Sequence, residues 1–173
     1  NLRFLLVLAG VLKGVHKHAG LLRASIASSG NDHRLGANEA PPAIISVFMG
    51  DLLNQILNNL ENGIGKGESA ESTVLKLGVG KLPEVMKDNA DRNRTSPFAF
   101  TGNKFEFRAV GSSANVAVPM TILNSAVANA FKQSSSRLKE ILSNKKDRDE
   151  GIMEFIQQVV KETKAIRFDG NGY

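Results

Sequence analysis

The chain has 173 residues, 42% of them hydrophobic, with a net charge of +5, a sequence pI near 9.6 and no cysteine. That length suits one compact domain, and that composition suffices for a core. The positive charge is spread along the chain without a long Lys/Arg run, and with one tyrosine and no tryptophan there is little aromatic interleaving, so nucleic-acid binding is set aside. The lack of cysteine fits a reducing, cytoplasmic setting.

The first residues, NLRFLLVLAGVL, look like a secretory leader, with one arginine before an apolar run. Leu5, Leu8, Leu12, Val15, Ala19, Leu22 and Ile26 continue at helical period past any plausible cleavage point, however. Lys13 and Lys17 also interrupt the run before it could span a bilayer. The spacing predicts one amphipathic helix over Leu2–Ser28, stopped by the Ser28-Ser29-Gly30 turn.

Residues 31–42 then read as a loop. Arg34 and Glu39 stand five apart, not at the three or four of a helical pair, and Gly36, Asn38, Pro41 and Pro42 exclude a regular helix. A second helix is predicted over Ala43–Asn62, with Ile45, Phe48, Leu52, Ile56 and Leu60 on one stripe. Residues 63–90 carry the least pattern and read as an exposed insertion. GIGKG and GVGK within it lack the Gly-Lys-Ser/Thr ending of a phosphate loop.

Asp91–Arg108, DRNRTSPFAFTGNKFEFR, is the most informative stretch. Phe105 and Phe107 alternate with Lys104, Glu106 and Arg108, so a strand here turns two phenylalanines toward a core and a plus-minus-plus row the other way. Such a row is often only a solvated face. It also has the form needed to hold a divalent cation beside a polyanion: the carboxylate ligates the metal and the flanking cations hold phosphate oxygens. Arg92 and Arg94 lie just upstream in a turn-rich stretch. One strand alone would leave both edges unpaired, and its partners are expected outside this chain.

Gly111–Val118 is small and turn-like. A third helix is predicted over Pro119–Asn144, burying Leu123, Val127, Phe131, Leu138 and Leu142. The charged stretch Lys145–Glu150 leads to a fourth, with Ile152, Phe155, Ile156, Val159 and Val160 inward. The closing DGNGY reads as a turn or linker.

Three blocks, NDHRLGANEAPPA (Asn31–Ala43), DRNRTSPFAFTGNKFEFR (Asp91–Arg108) and GSSANVAVP (Gly111–Pro119), taken in this order, resemble the long type III branch of the glutamine synthetases. The resemblance covers about residues 1–145. It implies an α+β fold: the C-terminal part of a glutamine synthetase catalytic domain, with helices packed on an antiparallel sheet whose strands lie mostly upstream. Residues 63–90 would be an insertion, and 146–173 the start of the helical region that follows. It also implies an ATP-dependent ligase of nitrogen assimilation that phosphorylates L-glutamate and displaces the phosphate with ammonia. ATP and Mg or Mn would be the cofactors, and a ring-shaped homo-oligomer, a dodecamer by family habit, the assembly.

Residue by residue, the resemblance makes Glu106 a metal ligand and Arg108 a contact at the glutamate and phosphate end. Lys104 takes an ATP-contacting place where many relatives carry arginine, which keeps the charge but loses bidentate geometry. Arg94 stabilises the transferred phosphoryl group, Arg34 binds glutamate, and Glu39 is the mobile flap carboxylate that helps deprotonate ammonium. The Pro-Gly of better-known relatives is missing between Arg34 and Glu39, and that loop is one residue shorter. Their further arginine, five residues past the Asn-Arg-Ser arginine, is replaced here by Ala99, and Arg92 is expected to supply the charge. His16 and His18 point to different helix faces, and His33 reads as a loop contact, so none is expected to bind metal. The sequon Asn93-Arg94-Thr95 is taken as coincidence. With most metal ligands of the family lacking, the 173 residues alone are expected to be inactive. A glutamate–amine ligase and a non-catalytic anion-binding subunit are the competing readings.

Overall fold

The computed structural model describes residues 2–27, 45–63, 98–107, 114–145 and 147–168, with the side chains of residues 51, 52 and 168 outside that description. Helix α1 spans Leu2–Lys17 and α2 Ala19–Ser25. Strand β1 is Val47–Phe48, α3 is Asp51–Glu61, β2 is Phe98–Phe100 and β3 is Phe105–Phe107. Helix α4 spans Ala117–Ser143 and α5 Arg148–Glu162; a 3-10 turn, Lys164–Ile166, leads into β4 at Arg167–Phe168.

The predicted first helix is two helices, bent by 70° at His18. The break costs few backbone hydrogen bonds, because the His18 amide still donates to Gly14 O and its carbonyl accepts from Leu22 N. The inward stripe survives the bend: Leu5, Leu8, Leu12, Val15, Leu22 and Ile26 are all buried. Among the described residues no single helix is long and apolar enough to cross a membrane; α1 and α2 reach that length only as the bent pair.

The predicted second helix also starts late. Ile45–Met49 is buried and not helical, with Val47–Phe48 in a strand, and the helix begins after Gly50 at φ +73°. Ile45 and Phe48 fit a helical stripe, but Ile45, Val47 and Phe48 equally fit a strand buried on both faces, and a short apolar run does not separate the two. The positive φ of Gly50 ends the extended segment where a side chain would be strained.

The sheet corrects two expectations. It is mixed, in the order β3-β2-β1-β4, with β2–β3 antiparallel and β1 parallel to both β2 and β4. The strand at Phe105–Phe107 is therefore not alone: its companions come from this chain. The overlooked strand β2 is joined to it by a tight turn at Gly102-Asn103. Gly102 has φ +94°, which primed hairpin turns need, and the Thr101 amide donates to Lys104 O at 2.9 Å.

One core lies against the sheet. Val47, Phe98 and Ile166 share it with the inward residues of α1 and α2, with Ile56, Leu57 and Leu60 of α3, and with Ile152, Phe155, Ile156, Val159 and Val160 of α5. The α5 stripe is buried as predicted. Asp147 caps that helix, its carboxylate accepting from the amides of Asp149 and Glu150, and the two acidic residues of the first turn suit the helix dipole.

Helix α4 packs on α1 and α5 and starts two residues before the predicted Pro119, the Ala117 amide donating to Asn115 Oδ1. Its inward face is made of small residues, Ala126, Ala130 and Ser134, while Leu123, Val127, Leu138 and Leu142 are half-buried around them. Phe131, predicted inside, is 39% exposed. Its ring lies over Gly10, where an added Cβ would come within 2.3 Å of Cε1. Gly14 gives the other close approach, where a Cβ would stand 3.1 Å from Ala126 O. Gly14 thus lets α1 meet the α4 backbone closely, while Gly10 makes room for the Phe131 ring.

At the sheet edge an ion-pair cluster ties β4 to α3. Glu61 accepts from Lys164 Nζ at 2.8 Å and from Arg167 Nη2 at 2.7 Å, and Asn58 Oδ1 takes Arg167 Nη1 at 3.3 Å. The hydrogen bond from Lys164, helped by Arg167 and opposed by partial burial, holds the Glu61 carboxyl below the ordinary range.

Candidate functional site

The β2–β3 hairpin places the charged row. Pairing sets Phe98 against Phe107, Ala99 against Glu106 and Phe100 against Phe105. On one face the aromatic rings close up: Phe98 stacks on Phe105 at 5.0 Å, Phe105 meets Phe100 at 5.2 Å, and Phe98 meets Phe107 at 6.3 Å. Phe4 of α1 reaches Phe100 at 5.7 Å, anchoring the hairpin to the helical layer. This confirms that Phe105 and Phe107 face the core, each half-buried.

Glu106 occupies the opposite face, beside buried Ala99 on the next strand. Ala99 offers only a methyl group, so the carboxylate stands clear of a large cross-strand neighbour. Lys104 Nζ lies 3.5 Å from Glu106 Oε1, and the two side chains are 65% and 39% exposed. The Lys104 main chain is pinned by the turn, its carbonyl accepting from both the amide and the hydroxyl of Thr101. Of the predicted site residues the structure thus brings together Lys104 and Glu106. Arg34, Glu39, Arg92, Arg94 and Arg108 lie outside the described residues, as does His33.

Among the described residues no three His, Cys, Asp or Glu side chains gather as a metal site. A divalent cation takes six or more oxygens, or keeps several waters. Glu106 therefore fits as one ligand of a site completed elsewhere, not as a metal centre in itself. His16 is exposed; His18 is half-buried at the α1–α2 bend, with Nε2 buried and unpartnered among the described residues.

A groove of about 430 Å³ at the α4–α5 junction is lined by Arg137, Glu140, Ile141, Ser143, Asn144, Lys145 and Glu154. None of these is a predicted site residue. Lys145 there bridges Glu150 at 3.2 Å and Glu154 at 3.3 Å, which raises its pKa, chiefly through the Glu150 bond. Its charges are matched within the groove, which reads as a structural seam.

Sequence reasoning missed the hairpin as a unit. The signal was present: Phe98-Ala99-Phe100 and Phe105-Glu106-Phe107 flank a Gly-Asn pair, the pattern of a short hairpin.

No family model matches the chain. Comparison with curated proteins is decisive: the whole chain aligns with a glutamine synthetase of Bacteroides fragilis at 48% identity over 175 residues. Over its whole length the chain is similar to part of the glutamine synthetases. It is 46% identical to the type-3 glutamine synthetase of Dictyostelium discoideum and 42% identical to a glutamine synthetase of Butyrivibrio fibrisolvens, again across its full length. It spans about a quarter of each glutamine synthetase, 24%, 23% and 24% respectively.

Proposed function

We propose that this chain is a working part of an ATP-dependent glutamate–ammonia ligase, carrying the portion of the active site around β3. The observation that carries the reading is the similarity of the whole chain to part of three glutamine synthetases, joined to a partly exposed carboxylate and an exposed ammonium side by side on the hairpin. Residues 1–145 would belong to the catalytic domain and 146–173 to the helical region after it, although α5 shares the core of α1 and α3.

The chemistry needs three things. A carboxylate is a poor electrophile, so glutamate must first become an acyl phosphate, a step of positioning and charge stabilisation. The acyl phosphate must be kept from water. Ammonium must lose a proton before it attacks. ATP with Mg or Mn supplies the phosphoryl group and its charge neutralisation. Glu106 gives one oxygen ligand to the cation, and Lys104 a charge for phosphate oxygens. Arg94, with Arg92 beside it, and Arg108 serve the phosphoryl and glutamate ends. Arg34 holds the glutamate carboxylate, and Glu39 receives the ammonium proton. Among the described residues Glu106 is the carboxylate assigned to the cation, and further ligands would come from outside them, from a synthetase-length polypeptide or a neighbouring subunit of a ring.

The test is made on a synthetase-length polypeptide containing this segment. Glutamine formation should require ATP, glutamate and ammonium together, and Glu39→Gln and Arg34→Ala should each reduce it. Product with methylamine and none with ammonium would move the chain to the amine ligases. Absence of any ATP-dependent product would leave an anion-binding role.

A further inference from the structure

Phe4, in the first turn of α1, is 40% exposed, yet its ring stands 5.7 Å from that of Phe100, tilted by 53°. Spacing and tilt are those of a favourable aromatic pair. From Phe100 the ring contacts run on to Phe105, at 5.2 Å, and from there to the buried Phe98, at 5.0 Å. Phe100 and Phe105 are the strand pair nearest the turn, and Glu106 follows Phe105 directly. The turn is closed from within: Thr101 holds the Lys104 carbonyl through its amide and its hydroxyl, and Gly102 supplies the positive φ. The hairpin therefore moves as one piece, and a shift at Phe100 is carried to Glu106. Phe98 steadies the inner end of that piece; at the turn end the ring of Phe4 steadies Phe100.

We propose that Phe4 is a positioning residue for the metal–nucleotide, acting through Phe100 to set where the Glu106 carboxylate stands. This rests on the ligase reading, in which Glu106 ligates the cation. A ligand group has to be held to within about 0.5 Å, and the residues that pack behind it decide whether it is. At 40% exposure the Phe4 ring adds little to the core, so its loss is read in binding rather than in melting.

Steady-state kinetics of the synthetase-length enzyme test this, with Mn–ATP and ammonium varied in turn. Phe4→Ala should raise KM for Mn–ATP about twofold to tenfold, the worth of one aromatic pair. It should leave KM for ammonium unchanged, since Glu39 belongs to another block of the sequence. Phe4→Tyr keeps the ring and should restore the first KM; Phe4→Leu repeats the comparison should the alanine variant not fold. Phe100→Ala should raise the same KM, and Phe4→Ala added to it should raise it no further, because the contact is already gone. Val7→Ala, at an exposed residue one turn along α1, should change neither KM. Additive effects of Phe4→Ala and Phe100→Ala, an equal rise in both KM values, or a Val7→Ala effect as large as that of Phe4→Ala would each overturn the positioning role. Mn2+ titration of the Glu106→Gln enzyme separates that failure from failure of the ligand assignment. Binding weakened in Glu106→Gln and untouched in Phe4→Ala keeps Glu106 as a ligand and overturns the role of Phe4. Binding unchanged in Glu106→Gln removes the ligand assignment, and the positioning role falls with it.

Discussion

Helix α5 and the β2–β3 hairpin treat their charges in opposite ways. Along α5 the apolar stripe is buried, Asp147 caps the first turn, and Glu150 and Glu154 are paired with Lys145. The hairpin buries Phe98 but leaves its other rings half-buried, and its opposite face carries an exposed lysine beside a partly exposed glutamate. Much of the charge around α5 thus serves the helix that carries it. The hairpin instead carries an ion pair, Lys104 with Glu106, that is partly open to solvent. The contrast separates residues that make the fold from those placed to serve a ligand.

The largest expected effect lies on the structural side. Phe155 is 1% exposed in the centre of the core. Phe155→Ala should lower unfolding stability by about 3–5 kcal/mol in urea titration. Glu106→Ala should do the reverse: folding stability changes by no more than about 0.5 kcal/mol, while kcat/KM for the metal–nucleotide falls about tenfold to thousandfold in a synthetase-length enzyme. A Glu106 variant that melted like the Phe155 variant, with normal kinetics, would erase the distinction. Asp147→Ala removes the α5 cap and should cost about 1 kcal/mol by the same titration.

The smallest effect is a pH dependence. The folded-state pKa of Glu61 lies below its ordinary 4.5, first through the hydrogen bond from Lys164. A carboxylate so depressed contributes stability that is fully present above 4.5 and is lost as pH falls through the lower folded value. Melting temperature followed from pH about 6 to about 3 should fall less steeply for Glu61→Gln than for the unchanged protein. Equal slopes would mean that the cluster at the sheet edge adds nothing on acidification.

How far these regions could be read from the sequence follows from the same physics. The α5 stripe was legible because five apolar residues repeat at helical period and an acidic cap precedes them. The bend at His18 was not, because the stripe runs through it unbroken and no proline marks it. Phe131 was misplaced inward because a helical stripe shows which side faces the neighbour, not that Gly10 makes the neighbour shallow enough to leave the ring over its surface. Strand β1 was misread as helix because Ile45 and Phe48 stand at a helical spacing, and a strand buried on both faces shows the same apolar run. At the site, alternation put Glu106 and Lys104 on one face of a strand; the structure brings the two side chains together, with Glu106 in β3 and Lys104 in the turn before it. Their mutual ion pair could not be read, since it depends on where the turn sets the Lys104 backbone. The arginines at 34, 92, 94 and 108 and the carboxylate at 39 rest on the resemblance to glutamine synthetases, as they fall outside the described residues.

The parallel ladder between β1 and β4 also bears on how the chain assembles in time. Val47 pairs with Arg167, about 120 residues later. At a synthesis rate of about 5–20 residues per second, β1 would leave the ribosome roughly 6–24 s before its outer neighbour exists. Until then one side of a buried apolar strand has nothing to pair with, which makes Ile45–Met49 a segment that a chaperone would serve while the chain is still emerging.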